Sequence, residues 1–369
     1  MGRDMVGTDE PAIIPRQLRL ARESLGLSIE EVAAKLGVSV EELKIWEAGS
    51  QTPLVETLWD LADLYNRSVD YFLTPTQPLP EKINYRITQQ LDVHRSPLEI
   101  RGVFIRFEEL CRFGHELEIL LKKPRNVLIQ EVPQEQDSDV LASVERHRLK
   151  FDDKPIKDIR QILELQGVRT FELPIPGNVF SGFSLWHEIY GPCVLVNARD
   201  NAGRRHFTLA HEYAHLLKSD SPVVCDLVLE IVEEQFANRF AVSFLMPAPD
   251  VIREFERRGL SRAGLTDKAL ATLATRYSVS LEAIGRRLEE LELVRKGMTD
   301  TLILEWEAKQ KHPMRSKTPT WRRQLGEAYT SLALEAYGRE LISLGKLAAY
   351  LGVDMRKALE FLEKQGEGK

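Results

Sequence analysis

The ten residues from Thr208 to Leu217 constrain this chain more than any other segment. They read Thr-Leu-Ala-His-Glu-Tyr-Ala-His-Leu-Leu, an apolar helical pattern that contains His211, Glu212 and His215. Because residues four positions apart leave the same face of a helix, both imidazoles can hold one metal ion. Glu212 lies one step further round the helix, where its carboxylate can reach a water molecule without being a ligand. This spacing is typical of zinc-dependent peptidases.

The second histidine carries this signal, because the dipeptide His-Glu occurs three times in the chain. The pair that begins at His115 has Ile119 at the position of the second ligand, and the pair that begins at His187 has Gly191. Neither pair can bind a metal in this way. At the third pair, which begins at His211, the alternative is that both histidines are buried structural residues. Burying such polar groups without partners is unfavourable, however. The metal site is therefore the preferred interpretation.

A third metal ligand is expected downstream, because a catalytic zinc ion normally has three protein ligands and an open position for water. Apolar residues recur every four positions in 230–247, which predicts an amphipathic helix that Pro247 ends. Ala237 and Ala241 beside this apolar stripe would permit close approach of a neighbouring helix. The candidates for the third ligand are the acidic residues at the start of this helix, which are Glu230, Glu233 and Glu234. The alternative for each of them is a side chain that is simply exposed to solvent.

An independent pattern lies near the N-terminus. Ser28 and Ser39 each precede a helical run, and each is followed three residues later by a glutamate, Glu31 or Glu42, as in a capping box. A short turn that contains Gly37 separates the two runs. Together with helical patterns on either side, these features predict five short helices that form a helix-turn-helix domain.

Residues 202–247 resemble the ImmA/IrrE family of metallopeptidases. The resemblance rests on three runs, which are Phe-Thr-Leu-Ala-His-Glu from Phe207, Glu-Gln-Phe-Ala-Asn-Arg-Phe-Ala from Glu234, and Leu-Met-Pro ending at Pro247. Ala214 departs from the family pattern, in which this position is usually glycine. Residues 16–73 resemble the phage-repressor-like Xre/Cro family in a similar way, down to the spacing of its Trp-Glu-x-Gly motif and a following proline.

The first resemblance implies a zincin-like domain with Zn²⁺ as its cofactor. It implies His211, His215 and Glu234 as ligands, with Glu212 as the general base that takes a proton from the attacking water and passes it to the leaving nitrogen. Zinc fits this donor set best, although Mn²⁺ or Co²⁺ can occupy similar ligands.

Two further residues are candidates for supporting roles at this site. His206 could stabilise the transition state, the alternative being an exposed residue at the mouth of the helix. Asn238 lies one turn after Glu234 and could orient its carboxylate.

DNA binding by the N-terminal domain is opposed by its charge. Residues 1–75 hold 7 Lys and Arg against 13 Asp and Glu, so this segment has a net charge of 7 − 13 = −6. Phosphate contacts dominate affinity for DNA, and the second helix of the motif begins with Val40, Glu41 and Glu42. Lys44 is the one candidate DNA-facing residue. A local basic patch or a dimer could restore DNA binding, and recognition of a protein is the competing role.

The predicted fold is multidomain and mostly α. An all-α helix-turn-helix domain (1–75) precedes a helical spacer or dimer element (76–150), an α+β peptidase-like domain (151–250) and a helical C-terminal region (251–369). The α+β assignment rests on three strand-like runs before the metal helix, which are Gly167–Ile175, Ser181–His187 and Pro192–Ala198.

The C-terminal region contains three patterns that the peptidase-like domain does not explain. Residues 270–288 and 342–353 each repeat the two-helix rhythm of the N-terminal domain, and simple helical packing is the preferred interpretation of both. Between them, Lys309–Arg323 holds six basic residues and no acidic one. This run could contact nucleic acid, although such runs are more often solvated loops.

Composition bounds the cellular setting. The three cysteines are few and widely spaced, which indicates a reducing cytoplasm without disulfides. The sequence shows no apolar run of membrane-spanning length and no signal-peptide pattern, so no membrane partner is expected. The pI of about 5.9 argues against general coating of nucleic acids.

These observations predict a cytoplasmic zinc endopeptidase with a repressor-like N-terminal domain. By resemblance, its substrate is expected to be a repressor or antitoxin encoded nearby, and limited cuts in that protein would relieve transcriptional repression. The main alternative is a DNA-binding regulator or antitoxin-like protein whose metal site senses rather than cuts. A closed structural zinc site is disfavoured, because two His and one Glu leave a coordination position for water.

Overall fold

The computed structural model divides the chain into two compact units. One is formed by residues 1–113 with 333–369, and the other by residues 114–332. The predicted multidomain, mostly helical fold is confirmed. The residues that the structure describes are 13–73, 98–130, 132, 137–218, 224–225, 232–261, 264–309 and 320–366.

The first unit begins with five short helices, as predicted. They are α1 (Ile13–Ser24), α2 (Ile29–Leu36), α3 (Val40–Ala48), α4 (Val55–Tyr65) and α5 (Val69–Leu73). Both capping boxes form, with the Ser28 hydroxyl accepting from the Glu31 amide and the Ser39 hydroxyl accepting from the Glu42 amide, each at 3.1 Å. The turn between α2 and α3 places Gly37 at φ 70°, a left-handed conformation that favours glycine.

Further helices of the described chain begin at residue 98. The long α6 (Leu98–Leu120) contains the first division point between the units, and α16 (Glu327–Gly338) contains the second. The first unit ends with α17 (Leu344–Leu351) and α18 (Met355–Gly366). Lys346 of α17 forms an ion pair with Asp70 of α5.

The second unit contains a small mixed sheet in the order β1-β3-β2-β4. Strand β1 runs parallel to β3, whereas β2 is antiparallel to both β3 and β4. The three predicted strands are confirmed, but the fourth was not predicted because two residues show no periodicity. The strands are β1 (Arg169–Leu173), β2 (Gly182–His187), β3 (Gly191–Asn197) and β4 (Val224–Cys225).

Several helices complete the second unit. They are α7 (Ser138–Arg148), α8 (Ile159–Leu165), α9 (Ala202–Lys218), α10 (Val232–Leu245), α11 (Ala248–Arg257), α12 (Asp267–Tyr277), α13 (Leu281–Glu290), α14 (Met298–Lys309) and α15 (Thr320–Leu325). Helix α9 contacts strands β2 and β3 as well as α10, and α7 contacts α10. Ala237 and Ala241, which were predicted to permit close approach of a neighbouring helix, are fully buried.

Helix α7 falls in the segment that the sequence assigns to the spacer, yet it packs in the core of this second unit. Tyr213 of α9 donates a hydrogen bond to the carboxylate of Glu145 on α7. The three boundaries between the four domains proposed from sequence remain a prediction.

The two C-terminal helical patterns are present as the pairs α12–α13 and α17–α18. Most of the basic run, residues 310–319, lies outside the described residues. Within the described ranges, no helix combines the length and apolar character needed to cross a bilayer.

Candidate metal centre

Helices α9 and α10 bring His211, His215 and Glu234 together. One ligand atom from each residue lies within 4.8 Å of the other two, and all three side chains are buried. The Nε2 atom of His211 lies 3.2 Å from Nε2 of His215 and 3.2 Å from Oε2 of Glu234, and the Nε2 atom of His215 lies 3.5 Å from Oε1 of Glu234. Ligand atoms about 2.0–2.1 Å from a tetrahedral zinc ion are roughly 3.3 Å apart. The donor set therefore fits a zinc ion in both chemistry and spacing.

The carboxylate of Glu234 is held in its ionised form although the residue is fully buried. Burial raises the pKa of this carboxyl, but hydrogen bonds and electrostatic attraction from His211 and His215 outweigh that effect and lower it to about 2. An ionised carboxylate beside two imidazoles is the form that can ligate a divalent cation.

Asn238 supports the ligand set through His211. Its side-chain oxygen lies 3.0 Å from Nδ1 of His211, so the ring proton on Nδ1 is donated to Asn238 and Nε2 is left for a metal. The sequence predicted that Asn238 would orient Glu234, one turn earlier on the same helix. The contact is with the facing helix instead, because α10 presents Asn238 towards α9.

Glu212 is fully buried against strand β2. The hydroxyl of Ser184 donates a hydrogen bond of 2.6 Å to its Oε2 atom. A Cβ atom at Gly182 would collide with Oε1 of Glu212 and with the side chain of Thr208, so this close approach requires glycine. Sequence reasoning missed Ser184, although the period of two along the strand places it on the same face as Gly182.

His206 is the predicted site residue that the structure does not bring to the ligands. It lines a cavity beside Asp158 and Arg205 rather than joining the three clustered ligands. Burial lowers the pKa of His206 to about 4, so the ring is neutral. His206 is therefore a buried residue at the start of α9. The alternative considered from the sequence was an exposed residue at this position.

The other residues that the sequence analysis discussed lie in different places in the structure. Glu234 is the acidic residue of α10 that joins the histidines, and Glu230 lies outside the described residues. Ala214 is fully buried in the core. His187, in one of the two pairs that the sequence excluded, accepts hydrogen bonds of 3.0 Å at Nδ1 from the amides of Ile189 and Tyr190.

Lys44, the candidate DNA-facing residue, lies on the exposed side of α3. Its ammonium group is 3.4 Å from the carboxylate of Glu41, and both side chains are more than half exposed. Its positive charge is therefore offset locally by the acidic start of the same helix.

Two family models match this chain. Residues 163–289 match the IrrE N-terminal-like domain, and residues 18–72 match the helix-turn-helix family.

Two curated relatives share part of this similarity. The chain is 40% identical over 105 residues to the radiation response metalloprotease IrrE of Deinococcus radiodurans, which covers 26% of this chain and 30% of that protein. It is 40% identical over 95 residues to the protein of the same name from Deinococcus deserti, covering 24% and 32% respectively. The chain thus spans about a third of the length of the curated relatives it matches. It carries a helix-turn-helix family domain followed by an IrrE N-terminal-like domain.

Proposed function

We propose that the second unit is a zinc-dependent endopeptidase that makes limited cuts in a regulatory protein. The observation that carries this proposal is the buried cluster of His211, His215 and Glu234, whose ligand atoms lie within 4.8 Å of one another. Two imidazoles and one carboxylate are the ligands of a catalytic zinc site that keeps one position for water or substrate. A zinc ion held there supplies Lewis acidity, which polarises a peptide carbonyl and lowers the pKa of water.

Glu212 performs the proton transfers in this proposal. It follows a ligand directly in sequence, and the hydrogen bond from Ser184 fixes the direction of its carboxylate. The carboxylate accepts a proton from the attacking water and then delivers it to the nitrogen of the leaving amine. Asn238 holds His211 in the tautomer that presents Nε2 to the metal.

A protein with a regulatory role is the proposed substrate. Both matched relatives are named radiation response metalloproteases, which supports a peptide bond as the target and a response circuit as the setting. The acidic helix-turn-helix domain fits a module that selects the target of the enzyme by contacting a protein. We propose a repressor or antitoxin encoded nearby as that target, and the cytoplasm as the compartment.

A regulator whose metal site senses rather than cuts is the second candidate. The match of residues 18–72 to the helix-turn-helix family favours this role, because such domains commonly bind DNA.

Co-expression with the repressor or antitoxin encoded beside this gene separates the two functions. We expect the wild-type chain to deplete the intact partner, whereas Glu212→Gln leaves it intact and still contains one zinc ion per chain. Glu188→Gln is the matched control, because it alters an exposed glutamate of a His-Glu pair that has no second histidine. Equal amounts of intact partner with the wild type and Glu212→Gln, both loaded with zinc, would refute proteolysis and favour sensing.

A further inference from the structure

The helix pair α17–α18 repeats the helix-turn-helix pair α2–α3 at a constant offset of 343 − 28 = 315 residues. The repeat covers the cap of the first helix, the helix itself and the turn. Six of the eleven positions from 28 to 38 hold the same residue in both copies, and the matching residues in the second copy are Ser343, Ala348, Ala349, Leu351, Gly352 and Val353.

The backbone of the two pairs follows the same plan. Each first helix has eight residues and a serine cap, and each ends at a left-handed glycine, with φ 70° at Gly37 and 63° at Gly352. The next amide, of Val38 or Val353, donates a hydrogen bond of 3.1 Å to the carbonyl five residues earlier. At the second helix, Asp354 takes the place of the capping serine and accepts from the amide of Lys357 at 2.8 Å. The chain therefore contains a second helix-turn-helix pair.

The two pairs differ in charge where a recognition helix meets its target. The first turn of α3 carries Glu41 and Glu42, and the same positions of α18 hold Arg356 and Lys357. Over equal lengths, residues 28–49 hold 2 basic and 5 acidic residues, and residues 343–364 hold 4 basic and 3 acidic residues. The net charges are 2 − 5 = −3 and 4 − 3 = +1. The second copy thus regains the positive charge that phosphate binding requires.

The first turn of α18 is open to solvent. The side chains of Arg356 and Lys357 are 88% and 68% exposed, whereas Ala358 faces the core. Arg356 pairs with Glu360 and Lys357 with Asp354, but exposed pairs within one helix contribute little and can yield to a stronger partner. Lys346, by contrast, is engaged with Asp70 of α5.

The third pair, α12–α13, lacks the exposed basic first turn of α18. It has the same left-handed turn, at Ser278, and the same serine cap, at Ser280. However, α9 crosses directly over the start of its second helix, because a Cβ atom at Gly203 would lie 2.5 Å from the backbone of Val279 and Ser280. The first-turn positions of its second helix that correspond to Arg356 and Lys357 hold Glu282 and Ala283, neither of which is basic. Of the three pairs, α17–α18 alone is both basic and open at this position.

We infer that α17–α18 binds duplex DNA, with α18 as the helix that enters the major groove. The major groove of B-DNA accepts a helix, and an arginine there can contact either a phosphate or the edge of a guanine. The exposed Met355 and Leu359 beside these cations can contact thymine methyl groups. This inference is independent of the peptidase activity and assigns DNA contact to a different helix pair from the one that matches the helix-turn-helix model.

Fluorescence anisotropy of the full chain with a labelled mixed-sequence duplex tests the inference. A duplex of about 30 base pairs spans two half-sites one helical turn apart. We expect salt-dependent binding that weakens about tenfold in the double variant Arg356→Gln/Lys357→Gln, with the salt slope reduced by about 2. The control Lys35→Gln/Lys44→Gln removes two exposed cations from the first pair and should bind as the wild type does.

Lysine acetylation of the wild-type complex gives a second measurement that needs no variant. We expect the duplex to protect Lys357 from acetylation and to leave Lys44 reactive. The inference is overturned if the wild type shows no salt-dependent binding, if both double variants lose affinity equally, or if Lys357 stays reactive in the complex. A preference for an RNA duplex of the same sequence would also overturn it, because the A-form major groove does not admit a helix.

Discussion

At the residue scale, the position of the Glu212 carboxylate depends on two residues of strand β2. Ser184 donates to one carboxylate oxygen, and the missing side chain at Gly182 makes room for the other. A buried carboxylate without such a setting would be strongly destabilised. The proposed base is therefore placed by the sheet as much as by its own helix.

Gly182→Ala should remove activity without removing the metal. The added methyl group would collide with Glu212 and Thr208, so the carboxylate must move away from its position. We expect at least a 100-fold loss of substrate cleavage with unchanged zinc content, since misplacing a catalytic group by about 1 Å costs about that much. Gly338→Ala is the control, because a Cβ atom there meets nothing within 4 Å. Full activity in Gly182→Ala would contradict this account of Glu212.

His187 should make stability depend on pH. Burial and the positive charge of Arg169 lower its pKa to about 4, below the value of about 6.5 in an unfolded chain. Between these values the unfolded state binds more protons, so the free energy of unfolding falls as pH decreases from 6.5 to 4. The loss is at most on the order of 3 kcal/mol for this residue.

Urea denaturation of the wild type and His187→Asn across this pH range measures the effect. Asparagine keeps an acceptor for the amides of Ile189 and Tyr190 but does not titrate. The curve of the variant should be flatter than that of the wild type, and parallel curves would show that His187 does not contribute.

At the element scale, the candidate metal site depends on how α9 and α10 face each other. The spacing of His211 and His215 within one helix could be predicted from sequence, because helical geometry alone places them on one face. The choice of Glu234 as the third ligand rested on the family resemblance, because three glutamates at the start of the helix were possible ligands. The partner of Asn238 could not be predicted, because the rotation of one helix against another depends on packing that periodicity does not specify. For the same reason, the role of Ser184 could not be predicted without knowing the order of the strands in the sheet.

Asn238→Ala should weaken metal binding. Removing the acceptor for Nδ1 of His211 leaves the tautomer and orientation of the ring unfixed, and such changes typically lower metal affinity 10- to 100-fold. Competition with a chelator measures this affinity. Asn238→Asp retains an acceptor and should stay within a few-fold of the wild type. If Asn238→Ala binds zinc as tightly as the wild type, the contact has no role in metal binding.

Gly203→Ala should destabilise the second unit. A methyl group there would lie 2.5 Å from the backbone of Ser280, and backbone cannot rotate away as a side chain can. We expect the free energy of unfolding to fall by about 1–3 kcal/mol, the range for overpacked sites. Thermal unfolding compared with that of Ala202→Gly, an exposed change at the neighbouring position, measures the difference. An unchanged unfolding temperature in Gly203→Ala would show that α9 and the α12–α13 turn separate easily.

At the scale of the whole molecule, one chain carries an acidic helix-turn-helix pair, a buried cluster of candidate metal ligands and a basic second pair. The first unit combines residues from both ends of the sequence, as the ion pair of Asp70 with Lys346 shows. This combination of distant segments could not be predicted, because a contact between segments more than 270 residues apart leaves no local sequence pattern. The proposed activity and the inferred DNA contact belong to separate parts of the molecule and can be tested separately.

The proposed function requires hydrolysis of a peptide bond at the site of His211, His215, Glu234 and Glu212. Intact-mass spectrometry of the purified repressor or antitoxin, after incubation with the zinc-loaded chain, tests it most directly. We expect two fragments whose masses add up to that of the partner plus one water molecule, and no fragments with zinc-loaded Glu212→Gln. A partner that stays intact with the wild type, or that is cut equally by Glu212→Gln, would rule out hydrolysis at this site.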